Sequence, residues 1–307
     1  MISLFIIQVL NGLQLGILLF LVAAGLTLVF GVMDFINLAH GVQYMLGAYL
    51  AVMFITLTGS FALGLAAALA VALVIGLGLE YLVFRHLYDR SHLDQVLATF
   101  GLILFVNQAV KMIWGAAPLS VPVPEWLSGS VVLGDGILYP VYRFAIIAAG
   151  LLVAGLLWLI VERTKTGMLV RAGASNARMV SALGVDINRL FMIVFAFGTM
   201  LAGFAGAMAA PILSVEPGMG DTVLILAFVV IVIGGIGSIR GAFFAALLVG
   251  LVDTLGRSYS VDVVRLFTGP AAARGIAGGL SSMFIYLLMA VVLFFRPNGL
   301  WPSRGRS

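Results

Sequence analysis

Asn37-Leu38-Ala39-His40-Gly41, followed by Gln43 and Tyr44, sets hydrogen-bonding side chains in a stretch that is otherwise apolar. Phe35 to Leu79 holds no Asp, Glu, Lys or Arg. Polar groups are expensive in hydrocarbon, so within membrane segments they tend to line cavities, pathways or helix contacts. Of the three histidines, His40 alone falls in a predicted span, while His86 and His92 lie in a loop. No second ligand stands at metal spacing from it, and there is no cysteine, which excludes disulfides, thiolate sites and thiol nucleophiles. Two readings stand for Asn37, His40, Gln43 and Tyr44. They form an interhelical hydrogen-bonding cluster at the membrane interface, or a bend lining a solute route. On a helix, positions 37, 40 and 44 share one face and 43 lies beside it.

A second set lies in the basic segment from about 162 to 189. Ser175 can cap a short helix, with Asn176, Met179, Val180 and Leu183 on one face. Gly184 ends that helix as a residue just past a C-terminus often does, and Asp186 can cap the helix that follows. With Arg171 and Arg178 nearby, the product is a short helix held against a membrane face. It is either a basic surface loop or a docking element that includes Ala182. No catalytic constellation appears: there is no GxSxG, HExxH or paired-carboxylate motif in a span. There is no Walker A sequence, so any ATP used must be bound by another chain.

The elements that position these residues are membrane helices. Hydrophobic residues make up 63% of the 307 and charged residues only 9%, with a mean hydropathy of +1.21. Soluble domains carry roughly 25% charge. Ordinary soluble enzymes, nucleic-acid binders and disordered chains are thereby excluded, and the net charge of +4 reads as basic membrane loops. At about 20 apolar residues per crossing, the runs predict an all-α bundle of about eight to nine spans in a single domain, 1–307. They are Phe5–Phe30, two crossings between Phe35 and Leu79 turning at Thr58-Gly59-Ser60, Gln95–Gly115, Phe144–Val161, Leu190–Ile212, Thr222–Ile239, Gly241–Val252 and Gly275–Phe295. The first run lacks a basic n-region and reads as a retained span.

Placing Arg163, Lys165, Arg171, Arg178 and Arg189 in the cytoplasm also puts Arg85, Arg90, Arg240, Arg296, Arg304 and Arg306 inside. Lys111, Arg143, Arg257, Arg265 and Arg274 fall outside, Lys111 by snorkelling. The N-terminus is then external and the C-terminus cytoplasmic. Gly64, Ala68, Ala72 and Gly76, and Gly198, Ala202, Gly206 and Ala210, form small-residue stripes suited to close helix contact. Asp253 and Arg257 are expected to pair as a solvated interfacial couple, and Glu80 with Arg85 likewise. Gly234, Gly235, Gly237 and Gly241 predict a tight break, either a shallow hairpin or a re-entrant turn, with Arg240 at the aqueous edge.

Four blocks together give the chain a family resemblance. They are Gly31-Val32-Met33-Asp34-Phe35-Ile36-Asn37-Leu38-Ala39-His40-Gly41 with Tyr44 to Tyr49; Arg163-Thr164-Lys165-Thr166-Gly167 with Arg171-Ala172 and Ala182-Leu183-Gly184-Val185; Gly234 to Ala242; and Phe295-Arg296-Pro297-Asn298-Gly299-Leu300. The chain resembles the permease subunits of branched-chain amino acid ABC importers, the LivH type. One departure concerns the position after His40-Gly41, often acidic in that family and here Val42, which bears on the solute. Relatives of this type handle branched-chain and other amino acids, urea and short amides.

The resemblance implies a multi-pass protein of a bacterial or archaeal cytoplasmic membrane. It implies pairing with a second permease subunit, two cytoplasmic ATPase subunits that hold ATP and Mg, and an external solute-binding protein. This chain itself would bind no cofactor, and Ala182-Leu183-Gly184 would match the coupling segment. The competing readings are a secondary carrier or channel, which needs no docking helix at 162–189, and a membrane-embedded enzyme, which needs paired catalytic groups at one face.

Overall fold

The computed structural model describes residues 2–134, 137–265 and 270–301. In chain order the elements are α1 (Ile2–Met33), α2 (His40–Thr58), α3 (Phe61–Leu82), α4 (His92–Trp114), the hairpin β1 (Ser130–Leu133) and β2 (Ile137–Pro140), α5 (Val141–Arg163), α6 (Lys165–Ala182), α7 (Ile187–Ala209), α8 (Met219–Gly234), α9 (Ile239–Arg265) and α10 (Pro270–Phe295). Among the described residues, eight helices are long and apolar enough to cross a membrane. Each of the nine expected runs is a helix, but the run from Thr222 is the 16-residue α8, too short for a full crossing at about 20 residues. The chain is an all-α, multi-pass membrane protein. Arg304 and Arg306 lie outside the described residues.

Local chemistry sets the helix ends. Gly59 closes α2 in the left-handed conformation (φ 63°) and the Ser60 side chain caps α3. Ser91 caps α4, and Asp186 caps α7 by accepting from the Arg189 amide at 3.1 Å. Burial follows the stripes: the buried positions of α3 are Gly64, Ala68, Ala72 and Gly76, with Glu80 next in the same register. Absent side chains let helix backbones touch. Gly12 and Gly16 of α1 meet Gly250 of α9, Gly25 meets Gly198 of α7, and Gly47 of α2 meets Gly203. These contacts make α1 the central post of the bundle, its middle fully enclosed.

α1 also serves as a depth gauge. Near one end the Asn11 side chain accepts from Arg143, at the start of α5. Near the other, Gly31 lies against Gly237 in the turn between α8 and α9. His40 bonds the carbonyl of Val22, Nε2 to O 3.0 Å. At 1.5 Å per residue Val22 is about 16 Å from Asn11 and about 14 Å from Gly31. The chain therefore leaves α1 at Met33, turns at Asp34 (φ 51°) and climbs back inside, so that α2 starts near mid-depth. α8 starts beside it: Gly220 packs on Gly41, and the Gly218 amide meets Met45 Sδ at 3.3 Å.

One open alternative resolves and one expectation changes. The turn at Gly234–Gly241 is a hairpin at one face, while the irregular backbone inside the bundle is 35–39. Non-helical backbone at that depth survives because protein encloses it. The polar cluster accordingly sits inside the bundle and not at the membrane interface.

Glu80 and Asp253 are buried, against the solvated pairs expected of them. Asp253 accepts from Arg257 at 2.8 Å and Glu80 from Arg85 at 3.4 Å, with both arginines part-exposed. The reason is packing: Glu80 continues the small-residue stripe that faces the bundle.

Candidate functional site

Asn37 precedes α2 and is not on it, so it shares no helical face with His40 and Tyr44. All four expected residues are enclosed: Asn37 and His40 are 0% exposed, Gln43 and Tyr44 2%. The His40 ring sits against Gly25, whose missing side chain also admits the Gly198 carbonyl. The Gln43 amide lies against that ring, outside hydrogen-bond geometry. Both amide atoms of Asn37, both of Gln43, and His40 Nδ1 have no protein partner. Unpaired buried polar groups cost about 1–3 kcal/mol each, so this cluster holds unused hydrogen-bonding capacity. Tyr44 does different work: its carbonyl packs on Gly206.

The segment before the cluster is pinned by residues not singled out in the sequence. The Ile36 amide donates to Gln95 Oε1 at 3.2 Å. The Gln95 Nε2 donates to the carbonyls of Leu87 (3.2 Å) and Arg90 (3.3 Å). Phe35 meets the rings of Phe84 and Tyr88, which in turn meet Phe195 and Phe191 of α7. The Tyr88 hydroxyl donates to Glu80 at 3.2 Å. Burial first, then the Glu80 carboxylate, push that hydroxyl well above the usual phenol range. A glutamine at the start of an apolar run was the one sequence signal for this anchor.

In the coupling segment the cap differs from expectation. Asn176 has extended backbone (φ −159°, ψ 90°) and splits α6 in two. Its Oδ1 accepts from the Met179 amide at 2.9 Å, so Asn176 and not Ser175 caps the second part. Ser175 is exposed; a cap must sit where the backbone departs from helix, and that is one residue later. Val180 is buried, whereas Met179, Ala182 and Leu183 are exposed, Leu183 by 77%. Gly184 follows in the left-handed conformation (φ 87°). Arg171 donates to the Val161 carbonyl and lies 3.9 Å from Glu162, which also pairs with Arg240 at 2.9 Å.

The glycine turn joins the same face. Gly235 (φ 101°) and Gly237 (φ 82°) break the helices, and Gly234 packs on Gly241. The Leu300 and Trp301 amides donate to the carbonyls of Ile233 and Gly234 at 2.8 and 3.0 Å. The four sequence blocks thus meet at one end of the bundle, through Gly31–Gly237, through Arg171 and Arg240 on the shared Glu162, and through Gly299–Gly235.

Asp221 is a further residue that sequence reading passed over. It is in the first turn of α8, one residue past the Gly41 contact, exposed on the chain's surface and beside the Asn107 side chain. Its signal in the sequence is an acid opening an apolar run too short to span. Among the described residues no group of His, Cys, Asp and Glu could hold a metal ion.

The family profile described as "Branched-chain amino acid transport system / permease component" matches residues 8–293. The chain is 29% identical to the high-affinity branched-chain amino acid transport system permease protein BraD of Pseudomonas aeruginosa, covering 95% of this chain and 94% of that one. It is 28% identical to LivH of Escherichia coli K12, over 83% of this chain and 87% of the relative. A probable LivH of Methanocaldococcus jannaschii is 28% identical over 78% and 76%. No solved structure matches.

Proposed function

The chain belongs to the branched-chain amino acid transport permease family, and from that premise we propose that it is the translocating subunit of an ATP-driven importer of branched-chain or related amino acids. It works with a second permease, two ATPase subunits carrying ATP and Mg on the cytoplasmic side, and an external solute-binding protein. It hydrolyses nothing itself and holds no cofactor. Arg163, Arg171 and Arg240 mark the cytoplasmic face, on which the chain's C-terminus also lies. Urea and short amides remain within reach of the type, since Val42 departs from the acid common after His-Gly.

The observation that carries this reading is the exposed apolar end of α6. Met179 and Leu183 project where an independent carrier has no use for them, after an Asn176 kink and before a Gly184 stop. Exposed apolar residues rimmed by polar ones mark a protein contact, here an ATPase subunit. Asn37, His40 and Gln43 then border the route.

Reconstitution tests this. Liposomes holding both permeases and both ATPases, with the binding protein outside, should accumulate leucine, isoleucine or valine only with internal ATP. Leu183→Glu should abolish solute-stimulated hydrolysis. Equal uptake without the ATPases would establish the carrier reading instead.

A further inference from the structure

Two helices begin side by side at mid-depth, and neither beginning is capped by a side chain. Ala39 precedes α2 and Gly218 precedes α8. The His40 and Val42 amides at one start and the Met219 and Asp221 amides at the other donate to backbone carbonyls just before the helix, and each start keeps the positive end of a helix dipole. Such ends receive carboxylates, and broken helices at the membrane midplane use them in that way.

Around the start of α2 stand the enclosed, unpartnered amides of Asn37 and Gln43 and the free Nδ1 of His40. Side chains on a helix lean toward its N-terminus, which turns Gln43 back toward this end. One step away, past the Gly41–Gly220 contact, Asp221 puts a carboxylate on the chain's outer surface at the same depth. A charge there is costly against lipid, so this surface borders water or the second permease.

We propose that the paired starts of α2 and α8 form a seat for the zwitterionic head group of an α-amino acid in transit. The carboxylate is taken by the first turn of α2 with Asn37, His40 and Gln43, and the ammonium by Asp221. This rests on the amino acid importer reading. A zwitterion carries both charges on one carbon, so its two sites must adjoin, as Gly41 and Gly220 make these do. In this structure the amides are enclosed and the seat is shut. It opens when Gly41 and Gly220 part.

The test uses the complete transporter in liposomes with Gln43→Cys, the chain having no native cysteine. Asn37→Cys replaces it if that variant fails to fold. The cysteine should react with an anionic thiosulfonate about tenfold faster than with a cationic one, as a positive local field requires. Reaction should occur in at least one nucleotide state. Leucine should protect it far better than the matching 2-oxo acid, which lacks the ammonium, and Asp221→Asn should erase that difference.

Inertness of both cysteines in every state, or equal protection by leucine and the oxo acid with Asp221 present, would overturn the seat. ATP-driven leucine uptake by the unsubstituted transporter in parallel vesicles separates the two failures. Uptake without these labelling results sinks the seat alone, and absent uptake sinks the importer reading and the seat with it.

Discussion

The backbone of Gly41, in the first turn of α2, lies directly against that of Gly220, in the first turn of α8. A side chain on either would occupy the other's backbone. Similar contacts recur at Gly47–Gly203 and Gly206–Tyr44, whereas a methyl at Gly155 would meet nothing within 4 Å. Gly47→Ala should therefore destabilise the protein by about 1–3 kcal/mol through overpacking, and Gly155→Ala should stabilise it by about 0.5–1 kcal/mol through helix propensity. Thermal melting of the purified chain in detergent reads both signs.

Glu80 is fully buried, with Arg85 and Tyr88 as its partners. Breaking a buried pair by removing one partner costs about 3–5 kcal/mol. Arg85 keeps 32% of its side chain exposed, and solvent screening brings the expected loss for Glu80→Gln to about 1–3 kcal/mol. A double-mutant cycle with Arg85→Met should give a coupling above about 0.5 kcal/mol. Additive effects would show that the pair contributes nothing.

The kink in α6 assigns the cap to Asn176. Asn176→Ala should cost the second part of α6 about 1 kcal/mol, while Ser175→Ala should be neutral. Amide exchange at residues 177–182 distinguishes them, because only loss of the true cap speeds opening.

How much of this was legible beforehand differs by element. The span count, the small-residue stripes, the Asp186 cap and the glycine break follow from composition and spacing, which act locally. The depth of His40 does not. Residues 34–39 look like any interfacial turn, since Asp34 suggests water and only the bond to Val22 shows how far the chain climbs back. Asp221 was passed over for the same reason: its place was read from the apolar run after it, as though that run were full length. Glu80 and Gln95 owe their burial to the faces that α3 and α4 present, which a single charge or amide in sequence does not disclose.

Gly184 adopts φ 87° in open space. A β-branched residue there meets no neighbour but resists the left-handed backbone by about 1–2 kcal/mol, so Gly184→Val should reorient the exposed Leu183 while sparing the bundle. Expected are an unchanged melting temperature in detergent and lost solute-stimulated ATP hydrolysis in the reconstituted complex. Retained stimulation and uptake would remove this segment from coupling.

The turn between α8 and α9 separates steric from charge effects within six residues. A Cβ at Gly235 would come within 2.8 Å of the Trp301 carbonyl and 3.1 Å of that of Asn298, in a backbone with φ 101°. Gly235→Leu must therefore displace the segment that donates from Leu300 and Trp301 to the end of α8. That should lower stability by at least about 2 kcal/mol, two hydrogen bonds and an added overlap being at stake. Arg240 contributes a charge to Glu162 across a part-exposed pair, 64% and 36% accessible, and a lysine can supply the same charge. Arg240→Lys should shift stability by less than about 0.5 kcal/mol, as exposed pairs are worth little. Melting curves for the two variants, read with uptake in vesicles, should rank Gly235→Leu far below Arg240→Lys. The reverse order would mean that the charge at this face, and not the close fit of the C-terminal segment on the glycine turn, holds α8 in place.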